Sequence, residues 1–203
     1  MRPHRGPDPS DGPAAPDTPP RAWPFYAVLH ALLACLALRY SLDPGYRTLI
    51  DSFLMPVHEA GHPLFAPLGP FMGALGGSLA QWGFPLFVTL GFLRRGDLYA
   101  ACLGLFFLGV AINQSYQYMD SSFQMEKYPG MVFVSLGGGE AGHDWQAVFG
   151  ALGWYRGYTA VALAARVAGL ALMWAGLAAG AWRLWRMARA GSAPRDKAGL
   201  VRR

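Results

Sequence analysis

The chain has 203 residues, 53% of them hydrophobic and 14% charged, with a formal net charge of +5. Soluble domains carry about 25% charged residues, and here the apolar residues fall in long blocks, which excludes an ordinary soluble core and points to the lipid bilayer. The basic residues gather at block ends and form no stripe interleaved with aromatics, which argues against nucleic acid as a partner.

Residues 1–22 form a Pro/Gly-rich tail with almost no large apolar side chain. Such a stretch cannot bury enough surface to offset its ordering entropy and is expected to be disordered. It also lacks the pattern of a secretory signal. Five apolar blocks follow. The first runs from Trp23 to about Tyr40, with both aromatics placed to sit at membrane interfaces. Asp43-Pro44-Gly45 then makes a turn. The second block, Thr48 to about Leu68, holds the sequence His-Glu-Ala-Gly-His at 58–62, together with Pro56, Pro63 and Pro67. Pro63 removes a backbone donor and crowds the preceding turn, so the helix is expected to kink or end near His62. Irregular backbone at membrane depth needs cover from protein or a wet cavity.

The third block, Phe71 to Leu93, opens with Gly73 and Gly77, a spacing that lets helices approach closely. Arg94 and Arg95 stop it. The fourth, Leu98 to about Ile112, runs into the polar stretch Asn113–Asp120, and an extramembrane loop is expected over 121–157. The fifth block spans Tyr158 to Trp182 and leads into a basic tail, 184–203. The chain therefore reads as all-α: a polytopic helical membrane protein with a membrane domain at 23–183 and about five hydrophobic spans, one of them broken or re-entrant. The positive-inside rule puts Arg39, Arg47, Arg94, Arg95 and the C-terminal tail on the cytoplasmic side. Cys35 and Cys102 both lie in apolar stretches and read as packed hydrophobes rather than a disulfide or a metal pair.

Two histidines four apart share one helical face, where both imidazoles reach a single Zn²⁺ at ~2.0–2.1 Å. Glu59 then lies beside the open coordination position, where it takes a proton from the attacking water and passes it to a leaving amine. Each of these ionisable groups costs roughly 2.5 kcal/mol or more at mid-membrane if charged and unpaired, which favours a metal site over a polar helix end facing interfacial water. A zinc hydrolase needs a third protein ligand. His143 is the first choice, with Asp120 and Asp144 as alternatives. Candidates that do not ligate are expected to orient His58 or His62. Arg166, about two turns inside the last span, is expected to snorkel or to pair with a carboxylate such as Asp120 or Glu140. The glycine-rich run Ser135–Gly142 is not followed by Lys-Ser/Thr, and a phosphate loop is rejected.

The segments Val57–Phe65 (VHEAGHPLF), Leu75–Gln81 (LGGSLAQ), Asn113 with Asp120, and Gly137–Trp145 (GGGEAGHDW) together resemble the intramembrane zinc metalloproteases of the site-two-protease class, and most of all a group of small bacterial membrane proteins placed with them. The resemblance covers roughly Asp51 to Trp154. It implies zinc on His58 and His62, Glu59 as catalytic base, a membrane-protein substrate cleaved in or beside a membrane segment, and a place in the bacterial inner membrane. In the better-known members an aspartate of a Leu-Asp-Gly motif on a later span is the third ligand, and no Leu-Asp-Gly occurs here. That departure keeps a second expectation open: a non-enzymatic membrane protein with a structural or sensing zinc site.

Overall fold

The computed structural model describes residues 23–127 and 142–191. The expected N-terminal tail, the Gly137–Gly139 run, Glu140 and the last twelve residues lie outside them. Among the described residues every regular element is helical. In chain order these are α1 (Trp23–Leu42), α2 (Leu49–Phe65), a 3-10 turn (Ala66–Leu68), α3 (Pro70–Arg94), α4 (Leu98–Asp120), a second 3-10 turn (Met125–Lys127), α5 (Asp144–Ala151) and α6 (Tyr158–Gly191).

The boundaries follow local chemistry. After α1 the Asp43 carboxylate accepts from the Gly45 N–H at 2.8 Å, closing the expected turn. Thr48 and Asp51 form a reciprocal capping box at the start of α2. Tyr40 donates to Asp51 Oδ2 at 2.9 Å and so ties that cap to the end of α1. Gly69, at φ 103°, and Pro70 as the first helical residue set the start of α3. Asp97 caps α4 by accepting from the Ala100 N–H at 3.0 Å.

Among the described residues, three helices are long and apolar enough to cross a membrane: Trp23–Leu42, Leu98–Asp120 and Tyr158–Arg189. The five expected blocks all become helices, but only these three meet that length and apolarity. α2 does not end near His62. It continues through Pro63 to Phe65, where the Ala66 N–H closes on the His62 carbonyl. Proline forfeits its own donor, yet its fixed φ is helical, so neighbours that hold the turn can carry the helix past it. α4 extends beyond Ile112 through the polar stretch to Asp120, and α6 runs nine residues past Trp182. Cys35 is exposed on α1 rather than packed.

α4 is the central element. It packs most extensively on α6, while α3 packs on both α2 and α4, and α1 lies against α6. One apolar cluster joins Leu33, Ala37 and Tyr40 of α1 to Phe106 and Val110 of α4 and Met173 and Leu177 of α6. A second gathers Met119, Trp145, Val148, Phe149, Tyr158 and Ala162 around α5. Arg166 does not pair with Asp120, and Glu140, its other expected partner, lies outside the described residues. The Arg166 guanidinium donates to the Tyr40 and Ser41 carbonyls at 3.3 and 3.1 Å, and lies 5.3 Å from the Tyr116 ring centroid. It thus satisfies carbonyls at the α1 C-terminus, where a cation also suits the helix dipole. Asp120 pairs instead with Lys127.

Candidate metal centre

Two elements supply the three groups of the site. His58 and His62 project from the same face of α2, with ring centroids 5.0 Å apart. The third group comes from the first residue of α5: Asp144 Oδ2 lies 3.3 Å from His58 Nε2 and 3.3 Å from His62 Nε2. One ligand atom from each of the three residues falls within 4.8 Å of the others. Ligand atoms at ~2.0–2.1 Å from a tetrahedral zinc are about 3.4 Å apart. Both contacts of Asp144 have that spacing, and two imidazoles with a carboxylate are a donor set suited to zinc.

The other nitrogen of each histidine is engaged. His58 Nδ1 lies 2.9 Å from Gln81 Oε1, and His62 Nδ1 lies 2.9 Å from the Gly73 carbonyl. An oxygen acceptor holds a proton on Nδ1, so that Nε2, 3.3 Å from Asp144 Oδ2 in each ring, is the nitrogen that would present its lone pair to a bound metal. Gln81 is oriented in turn, since its amide nitrogen donates to Gln114 Oε1 at 2.7 Å. Asp144 Oδ2 accepts from the Tyr118 hydroxyl at 2.7 Å. Burial works to raise the Asp144 carboxyl, but the hydrogen bonds from His58 and Tyr118, with His62 close by, outweigh it and hold the group below the usual carboxylate value.

Glycine makes room for this convergence. A Cβ on Gly77 would lie 2.6 Å from His58 Nε2 and 2.7 Å from His62 Nε2. A Cβ on Gly61 would lie 2.2 Å from the Gly76 carbonyl oxygen. The glycine inside the His-Glu-Ala-Gly-His sequence therefore lets α2 press directly on the α3 backbone. Glu59 is buried beside the histidines, and among the described residues its carboxylate makes no hydrogen bond or ion pair.

Of the residues singled out from the sequence, His58, His62 and Asp144 come together. His143 and Asp120 do not join them. His143 is the N-cap of α5: its Nδ1 accepts from the Gln146 N–H at 3.3 Å, and its Nε2 lies 3.0 Å from Ser121 Oγ. Burial pushes its imidazolium down to a pKa of about 4, so the ring is neutral. Sequence reasoning missed Tyr118 and Gln114. Their spacing of four residues, with Ala111 three residues earlier on the same α4 face, is the signal that could have found them.

Comparison with protein-family models, with curated proteins and with solved structures finds no significant match to the chain.

Proposed function

We propose that the chain is a zinc-dependent intramembrane endopeptidase that hydrolyses a peptide bond in or beside a membrane segment. The observation that carries this reading is the approach of His58, His62 and Asp144 to within 4.8 Å, on apolar helices, with the buried Glu59 one residue from His58. His58, His62 and Asp144 hold the ion, which supplies Lewis acidity when bound by polarising the scissile carbonyl and lowering the pKa of water. Gln81 and the Gly73 carbonyl keep both imidazoles in the ligating tautomer. Glu59 accepts the proton of the attacking water and returns it to the leaving amine.

In this proposal α2 and α3 also traverse the bilayer, making five spans of an integral protein of the bacterial inner membrane. Leu49, Phe53 and Leu64 on α2 and Phe87 on α3 are exposed apolar side chains that lipid would cover. The C-terminus is cytoplasmic. Arg183 and Arg186 lie over Trp182, and Arg189 over Trp185, so the end of α6 presents paired aromatics and cations suited to that interface.

The test is purified protein in detergent or bilayer discs, assayed for zinc content and for cleavage of a membrane-segment peptide. Glu59→Gln is expected to keep its zinc and to lose roughly 10²–10⁴-fold in cleavage, the scale of general acid–base catalysis. A Glu59→Gln variant that cleaves as fast as wild type sinks the peptidase reading.

A further inference from the structure

The third metal-facing group sits in a His-Asp pair, and either neighbour has the chemistry of a zinc ligand. Something must decide which one turns inward. Tyr118 of α4 touches both. Its hydroxyl donates to Asp144 Oδ2 at 2.7 Å and accepts from the Asp144 backbone N–H at 3.1 Å. Its ring stacks on His143 with centroids 4.4 Å apart and planes 23° apart. We propose that Tyr118 is the positioning residue that selects Asp144, and not His143, as the third metal-facing group. This rests on the metal reading above.

The two hydrogen bonds close a ring through one residue. The Asp144 N–H is one of the donors that the first turn of a helix leaves without an intrahelical partner. The phenol oxygen takes that donor, and its own proton is then aimed at the carboxylate of the same residue. An aspartate in a first helical turn otherwise has other uses for its carboxylate, such as the free N–H groups around it or water. The double contact removes that freedom and leaves Oδ2 3.3 Å from both Nε2 atoms. The stacked His143 is held flat against the other part of the same side chain, and its nitrogens serve the α5 cap and Ser121.

Tyr118→Phe keeps the ring and its stacking but deletes the hydroxyl. Zinc affinity is measured by competition with a chelating dye for wild type, Tyr118→Phe, Asp144→Ala and the double variant, and cobalt(II) spectra are recorded on the same four proteins. The expected result is a loss of about 10–100-fold in zinc affinity for Tyr118→Phe, the scale on which partners of metal ligands act. No further loss is expected in the Asp144→Ala background, because the hydroxyl would act only through that carboxylate. The cobalt bands are expected to change on Tyr118→Phe in the wild-type background and to stay unchanged in the Asp144→Ala background. Wild-type affinity in Tyr118→Phe, or an equal loss in both backgrounds, overturns the proposal. Failure of the metal reading looks different: wild type takes up no zinc, or His58→Ala takes up as much, and this inference then falls with it.

Discussion

Gly77 shows how much of the site depends on an atom that is absent. Alanine is the better helix former by roughly 1 kcal/mol, so helix propensity alone favours Gly77→Ala in the middle of α3. The added Cβ, however, would stand 2.6 and 2.7 Å from the two Nε2 atoms that face Asp144. Gly77→Ala is therefore expected to leave a folded protein whose zinc affinity falls by about 10-fold or more, read by the same dye competition. Unchanged affinity would mean that the two imidazoles reach the metal from another direction. The four-residue spacing of His58 and His62 was legible because a helix fixes which residues share a face. The choice between His143 and Asp144 was not. It depends on where α5 begins: as N-cap, His143 uses its ring to satisfy the Gln146 N–H, and the inward position passes to the next residue.

At the scale of helices, the same small residues govern packing between elements. Gly61 and Gly76 meet where α2 crosses α3, and a Cβ at Gly61 would strike the Gly76 carbonyl carbon as well as its oxygen. Backbone atoms cannot swing aside as a side-chain end does. Gly61→Ala is thus expected to destabilise by about 1–3 kcal/mol, the range for overpacked contacts, despite its gain in helix propensity. Gly83, also inside α3, has nothing within 4 Å of its Cβ position, and Gly83→Ala is expected to be neutral or stabilising by up to about 1 kcal/mol. Thermal melts of the two variants side by side check the contrast, and equal shifts would refute it. The glycine spacing in α3 was readable as a close contact, but nothing in that spacing marks the contact as one with imidazoles. The persistence of α2 past Pro63 was not readable. A rule based on one residue counts the lost donor at 63, but not the α3 contacts through Gly61 and Phe65 that hold the turn on either side of it.

For the whole molecule, the proposed five spans turn on the path of the α2–α3 hairpin. The three helices long and apolar enough to cross a membrane differ in surroundings: 56% of the most apolar stretch of α4 is buried within the protein, against 17% for α1 and 28% for α6. α4 is thus a core helix sheltered by protein, and the polar side chains at its end, among them Asn113, Ser115 and Gln117, are buried against neighbours rather than lipid. The side on which the arginines lie does not reveal the path of the hairpin. Arg39 and Arg47 precede α2, and Arg94 and Arg95 follow α3, so all four stay on one side whether the hairpin crosses twice or dips in and returns. Length is more informative. The 17 residues of α2 rise about 25 Å, and the three-residue 3-10 turn adds about 6 Å, which together just reach across a hydrocarbon core of ~30 Å. The 25 residues of α3 rise about 37 Å and cross with room to tilt. A double crossing therefore puts the 66–69 turn on the face opposite the C-terminus, with the two histidines about midway. Leu68 is exposed in that turn and suits a reporter. With Cys35 and Cys102 replaced, a Leu68→Cys variant is expected to react with a membrane-impermeant maleimide from the side opposite a C-terminal tag. Labelling from the tagged side, or none until the membrane is dissolved, would instead make α2 and α3 a re-entrant pair and place the metal centre nearer one membrane surface.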